Sequence, residues 1–162
     1  MAHYIRNCFW LMVPSILLLF IAADRLPPAF QAEVFWHDIP RFIAWPENLF
    51  RMVVFALPAF MPLSIKTRRQ RRGLALYFLG TGAYFASWLA LIIAPQSWWS
   101  LSAAGFLAPA YTPLIWLFGI GFIGERLFTS RVGFRAWMFF ALTVAFLGFH
   151  IAHAALVYSR LA

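Results

Sequence analysis

The sequence predicts an all-α membrane protein, a polytopic bundle of about five transmembrane helices forming one integral membrane domain over residues 1–162. Three observations predict it. The chain is 64% hydrophobic and 11% charged, with a mean hydropathy of +0.78, whereas a soluble domain carries roughly 25% charged residues. Five apolar runs recur, each close to the roughly 20 residues that cross a bilayer as a helix. The basic residues gather in loops between alternate runs. A chain this apolar cannot cover its surface with polar groups in water, and lipid is the solvent that suits it.

The spans fall at about 8–23, 48–65, 73–94, 103–124 and 136–158. In the first, His3 and Arg6 precede the run 9–23, and the small Ala22 and Ala23 close it. Signal peptides share this pattern, but the expectation is a retained first span. Cys8, the one cysteine, excludes an internal disulfide and behaves as a small hydrophobe.

The loop after the second span, KTRRQRRG, fixes orientation through Lys66, Arg68, Arg69, Arg71 and Arg72. Such loops mark the cytoplasmic side and meet anionic headgroups. The N-terminus is then cytoplasmic, and the 24–47 loop, the PQSWWS loop and the C-terminus lie outside. Arg126, Arg131 and Arg135 fall on the same side as the first basic cluster, so the topology is self-consistent. The expected location is multi-pass in a bacterial inner (cytoplasmic) membrane. The net charge of +8 has its source in these loops, which sets nucleic-acid binding aside.

The 24–47 loop mixes charges with Phe30, Phe35, Trp36, Phe42 and Trp45, residues that favour the headgroup zone. It is expected to form a short interfacial helix at about 29–38, separated from its neighbours by Pro27, Pro28, Pro40 and Pro46. Trp98 and Trp99 anchor the next outer loop at the same depth. Glu47 and Arg51 stand four apart in the favourable order for a helical ion pair. They are expected to fix the outer end of the second span.

The second and fourth spans share Pro-Ala-aromatic-x-Pro-Leu, as PAFMPL at 58–63 and PAYTPL at 109–114. The likeness is either a duplicated helical hairpin (spans two–three and four–five) or a chance match of apolar segments. Each proline removes a backbone N–H and bends its helix. The alternatives are a kink satisfied by neighbouring groups and a broken helix that lines a site, with Thr112 between Pro109 and Pro113 serving either. Small residues recur at Gly82, Ala86, Ala90 and Ala94 in the third span. They recur again at Ala141, Ala145, Gly148, Ala152 and Ala155 in the fifth. Both stripes are read as helix–helix seams.

His150 and His153 sit one turn apart in the fifth span, roughly 150° from its small-residue stripe at 3.6 residues per turn. Imidazoles facing lipid are costly, so this face should meet protein or a wet cavity near the outer surface. If the 24–47 loop folds over the bundle mouth, Glu33, His37 and Asp38 approach the pair. Three readings stand: hydrogen-bonded structural histidines, a polar-ligand or proton site, and a metal held by His37, His150 and His153.

GIGFIG at 119–124 matches the dinucleotide fingerprint, but that motif needs a strand before it and here lies in a span, so it reads as close helix packing. Glu125 and Arg126 read as a headgroup-level charged pair. No nucleophile–base–acid set is legible, and Ser64, Ser87 and Ser97 have no evident partner, so no catalytic residues are assigned and an enzyme is disfavoured.

The leading functional expectation is a small membrane carrier or binding protein for an apolar or amphipathic ligand, lipid or quinone-like. Its site would use His150, His153, Thr112, Pro109 and Pro113. The alternatives are a non-catalytic accessory or scaffold subunit, docked or self-associated through the small-residue stripes, and a metal-dependent membrane enzyme. Membrane lipids are the expected partners in every case. A carrier predicts a cavity between spans two, four and five. A subunit predicts no cavity and an exposed small-residue stripe.

Overall fold

The computed structural model describes residues 5–129 and 133–161, and these are helical with no strand among them. His3 and Arg131 lie outside the described residues. Among the described residues, three helical stretches are long and apolar enough to cross a membrane: Cys8–Arg25, Arg68–Ile93 and Ala136–Ser159. At 1.5 Å per residue the second is about 39 Å long, beyond the roughly 30 Å of a hydrocarbon core. These lengths and compositions fit a membrane protein.

The first stretch opens on Asn7, whose side chain accepts from the Phe9 N–H across a 3-10 turn, Cys8–Leu11. Helix α1, Val13–Ala22, follows with a proline in its first turn, where the missing N–H has no intrahelical partner to lose. The expected interfacial helix shrinks to a 3-10 turn, Pro28–Phe30, and one α turn, α2, Ala32–Phe35. The chain then reverses at Asp38, which has φ of 50°, a left-handed conformation that Asp tolerates better than most residues.

Helix α3, Arg41–Ala56, replaces the expected second span and begins well upstream of residue 48. A 3-10 turn, Leu57–Phe60, ends it, because Pro58 has no N–H to continue the ladder. The chain beyond is non-helical until Thr67 caps α4, Arg68–Ile93. There the Gln70 carboxamide closes a capping box with Thr67 and also accepts from the Lys66 N–H, which pins the basic loop to the helix start.

After a turn, α5 (Trp98–Leu101) leads to the fourth expected span, which forms three pieces: α6, Ala103–Phe106; α7, Ala108–Tyr111; and α8, Pro113–Ile123. At the Thr112 break the Thr112 N–H (3.0 Å) and hydroxyl (2.7 Å) both donate to Ala108 O, while Pro113, which has no N–H, opens the next helix. The two proline motifs therefore differ: PAFMPL closes a helix, whereas PAYTPL opens two. Helix α9, Ala136–Ser159, completes the chain.

The tightest seam joins α4 to α8. A Cβ on Gly80 would lie 2.4 Å from the Trp116 backbone nitrogen, and one on Gly119 would lie 2.6 Å from that of Tyr77. Only glycine lets these backbones approach so closely. The GIGFIG segment is thus a packing surface: Gly121 abuts the Phe140 ring and Gly124 abuts Met61.

The expected seams at the small-residue stripes are corrected. Gly82 and Ala86 of α4, its C-cap Ala94, and Ala141, Gly148 and Ala152 of α9 are exposed, and a Cβ on Gly82 or Gly148 would meet open space. The buried face of α4 instead runs through Gly73, Tyr77, Gly80, Tyr84, Trp88 and Leu91. Helix α9 packs between α3 and α8.

Contacts at the two ends sort the loops. At one end Cys8 N donates to Met61 O (2.8 Å), Phe128 N to Phe60 O (2.9 Å), and Arg69 meets Glu125 at 3.5 Å. At the other, Tyr158 OH donates to Leu101 O (3.1 Å), and the Arg160 guanidinium donates to the carbonyls of His37 and Asp38.

Candidate functional site

Glu47 is the centre of the site. It lies on α3 with its side chain fully buried, and each of its oxygens meets one imidazole of α9. His150 Nδ1 is 2.9 Å from Oε1, and His153 Nδ1 is 2.6 Å from Oε2. The spacing of three residues puts both rings on one helix face, one above the other, so a single carboxylate spans them. Arg51, one turn along α3, donates to the same Oε1 and to the Asn48 side chain. A buried carboxylate is tolerated only when paired and hydrogen-bonded, and here it has three charge-capable partners. The expected helical ion pair of Glu47 and Arg51 exists, but within this buried cluster, where Glu47 also meets both imidazoles.

The 24–47 loop does fold over the cluster, through its backbone and rings. Phe35 O lies 2.8 Å from His153 Nε2. The Phe35 and Trp36 rings pack on His153 with centroids at 4.2 and 4.6 Å. The Arg51 guanidinium sits between Trp36 and Phe146, at 5.3 and 5.7 Å from their centroids, a cation–π arrangement. Phe146 also stacks on His150.

The hydrogen bonds set the protons. A carbonyl only accepts, so His153 Nε2 carries a hydrogen and donates to Phe35 O. The contact between Nδ1 and Oε2 then needs a second proton, held by the ring or by the carboxyl. His150 Nδ1 donates to Oε1, which leaves its Nε2 as a lone pair with no partner among the described residues.

His37 does not join this group. It pairs with Asp38 at 3.1 Å, with both side chains more than two-thirds exposed, and Glu33 is exposed nearby. Among the described residues no group of three or more His, Cys, Asp or Glu side chains is arranged to hold a metal ion. The set His37, His150 and His153 is therefore not brought together.

Beside the cluster lies a cavity of about 370 Å³. Its walls are largely aromatic, with Phe55, Tyr84, Trp88, Phe106 and Trp116 from four elements, and Arg51 and His150 supply its polar end. Ser15 contributes from α1. The Ser15 hydroxyl and the Trp116 indole nitrogen are buried with no hydrogen-bond partner among the described residues. Of the residues predicted to bind ligand, Pro109, Pro113 and His150 line the cavity. Thr112 does not, since its hydroxyl turns back onto its own helix, and His153 stands behind His150 against the loop.

Sequence reasoning paired Glu47 with Arg51 but did not place them in the site, and it missed Ser15 and Trp116. The available signal was Glu47 itself, an acid inside a segment otherwise apolar enough to pack, whose partners lie 103 and 106 residues away. Comparison of the chain with protein-family models, with curated proteins and with solved structures finds no match.

Proposed function

We propose that this chain is a multi-pass membrane protein that binds an apolar or amphipathic ligand, of lipid or quinone type, in the aromatic cavity beside Glu47, His150 and Arg51. The observation that carries the reading is the cavity's composition: apolar, mostly ring-bearing walls, and a polar end to which Arg51 and His150 contribute. Ligand sites are mostly apolar pockets of about 300–1,000 Å³ with a few placed polar groups, and this one matches that description.

Five crossings with a cytoplasmic N-terminus, an outer C-terminus and a bacterial inner-membrane location complete the proposal. Its support is that the loops carrying Lys66, Arg68, Arg69 and Arg126 gather at one end, while the 31–38 segment and Arg160 gather at the other. The basic end faces the cytoplasm by the positive-inside rule, and the polar cluster then occupies the outer half.

The test is to fill the cavity. Ala110 and Ala154 line it and are nearly fully buried. Ala110→Leu and Ala154→Leu should abolish quenching of tryptophan fluorescence by a short-chain quinone and by brominated fatty acyl probes in the purified protein. Helical content should be unchanged. Full quenching in folded, filled variants would reject the cavity as the binding place.

One observation favours a second reading, an accessory subunit. The stripes at Gly82 and Ala86 and at Gly148 and Ala152 are exposed and would admit another membrane helix at close range.

A further inference from the structure

The charge of the buried cluster follows from its hydrogen bonds. Glu47, His150 and His153 make three contacts that each require a proton: Nδ1 of His150 to Oε1, Nδ1 of His153 to Oε2, and Nε2 of His153 to Phe35 O. Two neutral imidazoles supply only two protons. The third, wherever it resides, cancels the carboxylate charge. Arg51, which is always protonated, is then left as one uncompensated positive charge. It stands among Trp36, Phe146 and the cavity walls. Its bonds to Glu47 and Asn48 occupy only part of a guanidinium that has five N–H donors. Arg51 and His150 meet the same Glu47 oxygen, so both stand at one end of the cavity.

We infer that the cavity takes an amphipathic acid, a single-tailed molecule whose one negative charge lodges against the Arg51 guanidinium while its tail lies among Phe55, Trp88, Phe106 and Trp116. This rests on the ligand-binding reading above and names the ligand class for that same site. A unit excess charge in apolar surroundings is costly alone and is relieved by one anion. A guanidinium matches the two oxygens of a carboxylate. The volume sits at the low end of small-molecule sites, which suits one chain rather than a two-chain phospholipid.

The probes are dibromostearate, its methyl ester and a brominated phosphatidylglycerol, each added to the purified full-length protein in detergent, with quenching of tryptophan fluorescence as the readout. The acid should bind about tenfold more tightly than the ester, since a close charge pair is of that order or larger. Arg51→Lys should keep the preference and Arg51→Gln should lose it. Trp116→Phe should reduce the quenched fraction without changing the preference.

Equal binding of ester and acid overturns the acid inference while leaving an apolar-ligand cavity in place. Equal or stronger binding of the two-chain lipid overturns the single-tailed assignment. No quenching by any probe overturns both this inference and the ligand-binding reading. Where Arg51→Gln does not fold, the comparison of acid with ester on the native protein and on Arg51→Lys decides.

Discussion

Glu47 Oε2 and His153 Nδ1 are 2.6 Å apart, with both side chains wholly removed from solvent. This contact ties α3 to α9, and through the second ring nitrogen of His153 it ties both to the 31–38 segment. Removing the carboxylate strands two imidazoles and a guanidinium. Glu47→Ala should therefore destabilise the protein by about 3–5 kcal/mol, the usual cost of breaking a buried charged pair from one side. Thermal unfolding in detergent measures it. A melting temperature equal to that of the unsubstituted protein would show that the carboxylate is not the anchor described.

The two histidines should behave differently. His153→Ala removes the donor to Phe35 O and the ring on which Phe35 and Trp36 pack. Amide hydrogen exchange across 31–38 should accelerate. His150→Ala keeps both contacts, so exchange there should stay slow while ligand quenching falls. Identical exchange in the two variants would count against His153 as the holder of the loop.

The glycine positions divide just as sharply. Gly80→Ala and Gly119→Ala drive a Cβ into opposing backbone and should cost at least the 1–3 kcal/mol of an overpacked core. Gly82→Ala and Gly148→Ala meet open space and should stabilise the isolated chain by up to about 1 kcal/mol through helix propensity. Urea or thermal unfolding ranks the four. If the Gly82 and Gly148 variants keep full stability yet lose co-purifying membrane subunits, the docking reading gains support.

Orientation has its own test. Neutralising Arg68, Arg69, Arg71 and Arg72 should disturb the sidedness of the chain, as read by labelling a cysteine placed at Ser159 in a Cys8→Ser background. Unchanged labelling would show that this loop does not direct insertion.

The long helices were legible because the bilayer imposes a length and an apolarity on each one, and Arg68–Ile93 and Ala136–Ser159 carry both. Helix α3 was less so: Arg41, Glu47 and Arg51 lower its apolarity, and Glu47 and Arg51 are accommodated by tertiary partners that no local pattern encodes. The packing faces were misassigned for a related reason. Small residues suit a seam, but they are equally at home on an outward face, and what marks the true seam is Gly73, Gly80 and Gly119 meeting backbone. The histidine face was correctly expected to meet polar company. Its partner was sought in Glu33, His37 and Asp38 of the loop, whereas Glu47 reaches it from a neighbouring helix.

The bond between His153 and Phe35 has an acceptor that every amino acid possesses. An alanine or cysteine survey of the loop would leave that atom in place and score position 35 only for its ring. The contribution of the main chain there would surface only through an amide-to-ester replacement or a proline that redirects the segment. A loop that looks permissive in a mutational library can therefore still hold the site shut.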